Sequence, residues 1–181
     1  MDARPLKIEP LRNPRFIKPV AIRYTQDGKE LVWEAVQAHD SVAVLLYHPK
    51  CRAFVIVKQF RPALYMQHGL EFSYELCAGI VDKDKSLERI AYEEVIEETG
   101  YEPRGLRKVT SFFTSVGFAG SRQTLFYAEV EEKVREGGGI EDERIEVVFI
   151  PIEKAKNFIF DESKPKTPGL MFAFLWWFET F

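Results

Sequence analysis

The order of apolar and polar residues along the chain predicts several strands first and helices mainly towards the end. Residues 16–38 contain two runs of alternating polarity separated by Asp27-Gly28, a dipeptide that favours a tight hairpin turn. The second run places three apolar residues on one face, which are Leu31, Trp33 and Ala35. The sequence therefore predicts an amphipathic antiparallel hairpin near the start of the chain.

Continuous apolar runs predict a second hairpin around Pro49 and a further strand that ends at Gly79. Later strands are expected near 106–115, 122–130 and 144–150, and helices near 152–159 and 168–180. We predict a mixed α+β fold with two parts: a β-rich N-terminal region at residues 1–40 and the main domain at residues 41–181.

The helix that follows Gly79 has clear signals at both ends. Ser86 is a favourable N-cap, and Gly100 is typical of a helix end directly after Thr99. This helix carries four carboxylates within six positions, which are Glu93, Glu94, Glu97 and Glu98. Like charges four residues apart destabilise a helix by roughly 0.2–0.5 kcal/mol per pair. A bound cation would offset this repulsion, and Mg²⁺ prefers such oxygen ligands. A solvated acidic surface is the alternative.

Charge and composition narrow the class of protein. A net charge of −3 argues against a general nucleic-acid or anionic-membrane binder. The first ten residues contain no apolar run typical of a signal peptide, and the longest apolar block, residues 169–178, is too short to span a bilayer. Cys51 and Cys77 lack the spacing of a metal site or a disulfide framework. We expect a protein of the reducing cytoplasm.

Gly79 and the stretch "AYEEVIEETGY" (residues 91–101) stand at a spacing that resembles the Nudix box, G-x5-E-x7-R-E-U-x-E-E-x-G-U, where U is apolar. Two positions depart from the box. Lys85 stands where the box has Glu, and Glu93 stands where it has Arg. Both changes invert the charge, so we predict that Lys85 and Glu93 form a sign-inverted ion pair; a coincidence is the alternative.

The resemblance extends to "HDSVAVLLYHPKCRAFVIVKQFRPALY", "ELCAGIVD" and "DERIEVVFIPI", which are similar to the Nudix branch that hydrolyses nucleoside diphosphate sugars, UDP-glucose diphosphatases above all. It implies a Nudix α/β/α sandwich with a mixed sheet and an N-terminal antiparallel β extension. It also implies Mg²⁺, with Mn²⁺ as a substitute, and a homodimer formed through the N-terminal β-region. The alternatives are an ADP-ribose diphosphatase and a non-catalytic nucleotide-binding module. ADP-ribose enzymes usually carry Pro in the loop where this chain has Val116, which favours the UDP-sugar reading.

The resemblance also implies roles for individual residues. Glu94, Glu98 and the backbone carbonyl of Ala78 are the expected metal ligands, and Glu97 and Glu98 are expected at the catalytic centre. In the late acidic loop, Glu143 best matches a further metal ligand and Glu141 a general base, although solvated loop charge is an alternative.

Substrate contacts are expected from four further residues. Arg61 and Arg122 are candidates to hold the diphosphate, because a guanidinium binds phosphate oxygens in bidentate fashion; ordinary surface ion pairs are the alternative. Glu75 is expected either to bind a substrate hydroxyl or to orient Arg61. Trp33, with Tyr24 as the other choice, can stack on a nucleobase, although either residue is more often a core or dimer contact.

Overall fold

The computed structural model of the protein describes residues 9–14, 16–82, 84–140 and 143–181. In chain order its elements are β1 (Lys18–Gln26), β2 (Lys29–Gln37), β3 (Ser41–His48), β4 (Ala53–Phe60), α1 (Pro62–His68), β5 (Phe72–Glu75), β6 (Cys77–Ile80), α2 (Leu87–Thr99), β7 (Tyr101–Thr114), β8 (Ser121–Lys133), β9 (Ile145–Pro151), α3 (Ile152–Phe160) and α4 (Pro168–Thr180).

Seven strands form a mixed sheet in the order β5-β4-β3-β8-β7, with β6 paired to β3 and β9 paired to β4. Strand β3 lies at its centre, parallel to β8 and antiparallel to β4 and β6. The five residues Val42–Leu46 of β3 are all buried, and so are the first five of β4. Helices cover both faces at this point, so both strands consist of continuous apolar runs rather than alternating ones.

Two buried clusters show that the sheet lies between helical layers. On one face, Leu45, Phe54 and Phe174 pack together with residues of α3 and α4. On the other face, Val44 and Phe126 pack against Val95 and its neighbours on α2. The predicted α+β fold with an α/β/α arrangement is therefore confirmed.

Strands β1 and β2 form a separate two-stranded antiparallel sheet with the predicted turn at Asp27-Gly28. Trp33 is paired with Ile22, and Leu31 with Tyr24, so these four side chains share one face of the hairpin. Two hydrogen bonds connect the hairpin to the loop after β7: Trp33 Nε1 donates to the Gly117 carbonyl at 2.7 Å, and Val36 N donates to the Phe118 carbonyl at 2.8 Å.

Three parts of the chain differ from the sequence prediction. The single strand that was predicted to end at Gly79 is in fact two strands, β5 and β6. They are separate because β5 pairs with β4 and β6 pairs with β3. Helix α1 was not predicted; it is only seven residues long, and none of them is buried. Strand β7 begins at Tyr101, directly after α2, rather than near residue 106.

The aromatic residues of α4 pack mainly within their own chain. Trp176, Trp177 and Phe178 are half-buried against the core, and Trp177 lies edge-on to Phe54. These three residues therefore do not require a second subunit to cover them. Within the described part of the chain, every helix is too short or too polar to pass through a membrane.

Candidate active site

Strand β6 and helix α2 bring the predicted box residues together. Gly79 of β6 lies against Glu94 of α2 so closely that a Cβ atom at position 79 would overlap the Glu94 carboxyl group. The expected ends of the helix are also present: the Ser86 hydroxyl accepts a hydrogen bond from Arg89 N, and Gly100 adopts the left-handed conformation that ends the helix. A side chain at position 79 would therefore displace the Glu94 carboxylate.

Glu98 is the most buried of these carboxylates, with 5% of its surface exposed. Its Oε2 accepts a hydrogen bond from the Ala78 amide at 3.0 Å. Burial, together with the nearby carboxylates of Glu94 and Glu143, raises the pKa of Glu98 to about 8, while hydrogen bonds from Cys77 and Ala78 act in the opposite direction. The fold therefore holds at its centre a carboxyl group whose charged form is poorly compensated by the protein.

This set of groups fits a hard cation. Every candidate ligand offers oxygen, and a cation would supply the charge compensation that Glu98 lacks. Among the described residues, no three His, Cys, Asp or Glu side chains stand close enough to enclose a metal ion by themselves. Such a site needs water and substrate oxygens to complete the coordination, as is usual for Mg²⁺. The observed contact of Ala78 is through its amide, and the role of its carbonyl stays a prediction.

The late acidic loop approaches the same carboxylates. Glu143 accepts a hydrogen bond from Ile140 N at 3.0 Å and lies near enough to influence the pKa values of both Glu98 and Arg61. The preceding glycines are bound to α2: Gly138 N donates to the Glu98 carbonyl at 2.7 Å. Glu141, the predicted base, lies outside the described residues.

Arg61 and Glu75 form a bidentate ion pair, with Nε to Oε1 at 2.8 Å and Nη2 to Oε2 at 2.7 Å. Glu75 is largely buried, whereas 48% of the Arg61 side chain is exposed. Hydrogen bonding to Glu75 raises the pKa of Arg61, and Glu98 and Glu143 contribute in the same direction. Glu75 therefore contacts Arg61 as expected of a residue that orients it, and the guanidinium lies within electrostatic range of Glu98 and Glu143. The contact of either residue with substrate stays a prediction.

Arg122 and Trp33 lie on either side of the loop after β7. Arg122 N donates to Asp40 Oδ1 at 2.8 Å, and its Nε lies 3.7 Å from Asp40 Oδ2, so this arginine already has an acidic partner. Trp33 is 53% exposed and bonded to Gly117, which excludes the alternative that it is a core residue in this chain. Its ring has an accessible surface for a base or a second subunit.

A cleft of about 360 Å³ adjoins the site and is lined by Glu75 and Ala78 on one side and the start of α4 on the other. Gln123, Ser115 and Thr167 add polar groups to its wall. The sequence analysis missed these three. Ser115 adopts a positive φ of 51°, an uncommon conformation for this residue type. The neighbouring residues do not predict this conformation. Thr167, before Pro168, does have the pattern of a helix N-cap.

The predicted inverted ion pair is confirmed. Lys85 Nζ lies 2.7 Å from Glu93 Oε2 and 3.0 Å from Oε1. Arg89, one turn earlier on α2, also binds Glu93 Oε1 at 2.8 Å, and the sequence analysis had not assigned it a role. The charge order is reversed from that of the box, and the two positions are in direct contact in this chain.

Residues 37–168, most of the chain, match the NUDIX domain. The protein belongs to the Nudix family. It is 39% identical to the uridine diphosphate glucose pyrophosphatase NUDT14 of Bos taurus, over 91% of this chain and 89% of that protein, and 38% identical to the Mus musculus protein of the same name over the same shares. It is 34% identical to the GDP-mannose pyrophosphatase of Cronobacter sakazakii, over 82% of each chain. These matches confirm the Nudix family that the box residues predicted.

Proposed function

We propose that this Nudix protein hydrolyses the diphosphate of a nucleoside diphosphate sugar of the UDP-glucose type. Water attacks one phosphorus, the bridging P–O bond breaks, and the products are a nucleoside monophosphate and a sugar 1-phosphate. The observation that carries the proposal is the buried Glu98 carboxyl beside Glu94 and within range of the Arg61 guanidinium. Relatives over most of the chain carry the names UDP-glucose pyrophosphatase and GDP-mannose pyrophosphatase.

Glu94, Glu98, Glu143 and the Ala78 carbonyl are the groups that would hold Mg²⁺, or Mn²⁺ in its place. When bound, such an ion activates water and neutralises charge on phosphoryl oxygens. Glu98 would hold the ion in its charged form, because a bound cation would supply the partner that this carboxylate lacks. Glu97 lies one position from Glu98 on the same helix turn, where it can orient a water molecule. We assign the general base to Glu141.

Arg61 is suited to hold the diphosphate, because the fork of contacts with Glu75 fixes its guanidinium in one plane. Glu75 also lines the cleft beside Ala78, so one of its oxygens can accept a hydrogen bond from a sugar hydroxyl there. Arg122 would bind the diphosphate by exchanging its contact with Asp40. Trp33 would stack on the nucleobase.

We further propose that the protein is a homodimer in which the second subunit covers the N-terminal hairpin. Ile22 and Trp33 form a cross-strand pair with exposures of 48% and 53%, and Tyr24 and Leu31 extend the same apolar face. A two-stranded hairpin alone is marginally stable in water, so this face requires burial elsewhere. A second copy is the occupant that we propose. A cytoplasmic location agrees with two free cysteines, of which Cys51 is exposed.

The test is hydrolysis of UDP-glucose, GDP-mannose and ADP-ribose with Mg²⁺ and with EDTA. Alkaline phosphatase in the assay releases phosphate from the products but not from the intact substrates. We expect the highest kcat/KM for a nucleotide sugar and no turnover with EDTA. Preference for ADP-ribose would favour the sister activity. Binding of all three nucleotides without turnover would identify a non-catalytic module.

A further inference from the structure

The loop between β8 and β9 contains three consecutive glycines, Gly137–Gly139, which are called the glycine segment below. All three have positive φ angles of 75°, 95° and 90°. Residues other than glycine rarely adopt these backbone angles, so substitution of any of the three would strain the backbone. Flexible glycine linkers make few fixed contacts. This segment, by contrast, is bonded to α2 and to β9.

Its hydrogen bonds go to the last turn of α2. Gly138 N donates to the Glu98 carbonyl at 2.7 Å, and Gly139 N donates to the Glu97 carbonyl at 3.1 Å. Carbonyl groups in the last turn of a helix have no partner within the helix. The segment therefore caps the backbone of Glu97 and Glu98, the two residues that we assign to the catalytic centre. At its other end, the Gly138 carbonyl accepts from Ile145 N at 3.2 Å, where β9 begins.

Steric contacts make the docking depend on glycine at two of the three positions. A Cβ atom at Gly137 would lie 2.5 Å from the Thr99 carbonyl carbon and 2.6 Å from Gly100 N, both backbone atoms that cannot move aside. A Cβ atom at Gly139 would lie 2.8 Å from Glu143 Oε2. At Gly138 the nearest atom would be 3.6 Å away, which is ordinary contact.

Glu143 is the group on which this arrangement acts. Its Oε2 accepts from Ile140 N at 3.0 Å, so the carboxylate bends back over the end of the glycine segment. The missing Cβ of Gly139 leaves the space that this carboxylate occupies. The position of Glu143 relative to Glu98 is thus fixed by one short connection, from the α2 carbonyls through the glycine segment to the Glu143 side chain.

We propose that the glycine segment is a positioning element that sets the distance between Glu143 and the carboxylates of α2, and thereby the affinity of the site for a divalent cation. Its residues act through Glu143 and do not touch the substrate. The role depends on the proposed function, because it assumes that Glu143 and Glu98 share an ion. It predicts a graded series in which Gly137→Ala has the largest effect, Gly139→Ala follows, and Gly138→Ala has the smallest.

The experiment measures the dissociation constant of Mn²⁺ by electron paramagnetic resonance, without substrate, together with kcat and KM for UDP-glucose. We expect Gly137→Ala to weaken Mn²⁺ binding by roughly 10- to 100-fold, the range found when groups that orient ligands are removed. Gly105→Ala is the matched control, since Gly105 has a φ of 62° and open space around it. It imposes the same kind of backbone strain without a clash, so its Mn²⁺ affinity should equal that of the wild type.

A double-mutant cycle shows whether the effect passes through Glu143. Glu143→Gln alone should weaken Mn²⁺ binding, and adding Gly137→Ala should then change little, because the carboxylate that it positions has already been removed. Circular dichroism and the melting temperature confirm that each variant is folded; if Gly137→Ala does not fold, Gly139→Ala and Gly138→Ala provide the comparison.

Equal Mn²⁺ affinities for Gly137→Ala and Gly105→Ala would overturn the positioning role, and so would strictly additive losses in the cycle. If Gly137→Ala does not fold, equal affinities for Gly139→Ala and Gly138→Ala would overturn it in the same way. Failure of the proposed function has a different signature, because the wild-type protein would then bind no Mn²⁺ or would leave every nucleotide sugar intact.

Discussion

The acidic face of α2 and the N-terminal hairpin depart from ordinary folding rules in opposite directions. Helix α2 buries a carboxyl group, Glu98, of which 5% is exposed, whereas the hairpin exposes an apolar face that includes Ile22 at 48% and Trp33 at 53%. Each arrangement costs free energy in an isolated chain. Each is understandable if a partner is missing, a cation in the first region and a second subunit in the other. Departures from local consistency are expected at the functional parts of a protein.

The two regions also differ in how firmly they are held. The strands beside Glu98 are packed on both faces, and residues 42–46 of β3 are all buried. The hairpin contains no buried residue, and the hydrogen bonds from Trp33 and Val36 connect it to an exposed loop. A buried site can keep its geometry without its ion. The hairpin would depend more strongly on the proposed second subunit, so the two regions should respond differently to substitution.

The largest expected effect is on turnover. Glu98→Gln should lower kcat by at least about 100-fold, because a group that holds the charge-stabilising ion is lost. The fold should persist, since the pKa of about 8 means that Glu98 is mostly protonated in the metal-free protein at neutral pH, and glutamine resembles that form. Glu88→Gln, on the exposed first turn of the same helix, is the control. Near wild-type turnover of Glu98→Gln at saturating Mg²⁺ would remove Glu98 from the site.

The next effect is on association through the hairpin. Ile22→Glu should weaken dimerisation by roughly tenfold or more, about 1.4 kcal/mol, because it places a charge in the apolar face. Val32→Glu is a matched control: Val32 is 52% exposed but pairs with Arg23 on the opposite, polar face. Light scattering over a dilution series gives the mass. A monomeric wild-type protein at micromolar concentration would exclude the dimer, and equal losses in both variants would exclude this choice of face.

A smaller effect is expected on the pH dependence of stability, to which the buried Glu98 contributes. The folded pKa of Glu98, about 8, lies above its ordinary value of 4.5, so the contribution of this group to the stability of the metal-free protein is fully present below pH 4.5 and is lost as the pH rises through 8. Mg²⁺ should oppose this loss, and its affinity should rise with pH by up to about tenfold per unit below pH 8. Melting temperatures at pH 6 and pH 8, with Mg²⁺ and with EDTA, test both trends.

Glu98→Gln is the control for the pH response, because it removes the titrating group. Its melting temperature should lose this part of the pH dependence. A wild-type melting temperature that is insensitive to Mg²⁺ at both pH values would show that the carboxylates bind no ion in the folded protein.

Sequence reasoning succeeded where the signal was local. The Asp27-Gly28 turn, the Ser86 cap and the Gly100 end each depend on neighbouring residues, and the structure has all three. It failed where pairing between distant segments decides the outcome. The break at Leu76 arises because β5 and β6 pair with different strands, and the local apolar pattern is the same for one strand or two.

In the candidate site, too, features that depend on nearby residues could be predicted, and features that depend on distant segments could not. The glutamates of α2 were identifiable from their spacing, and the Lys85–Glu93 contact followed from two changes of charge sign. The docking of Gly138 onto α2 joins segments about 40 residues apart, and a run of glycines in the sequence resembles a flexible linker instead. Nothing in the local sequence indicated which backbone groups it would bind.

The smallest expected effect concerns the inverted ion pair. Lys85→Glu and Glu93→Arg should each lower turnover by a few-fold, because the first places a carboxylate beside Glu93 and the second places a third cation beside Lys85 and Arg89. Combining them restores opposite charges at the two positions and should recover part of the loss. Recovery stays incomplete, because the guanidinium introduced at position 93 still faces Arg89 one turn away. Adding Arg89→Gln to the double variant should then complete it. Strictly additive losses in kcat would mean that this contact has no part in positioning the loop between β6 and α2.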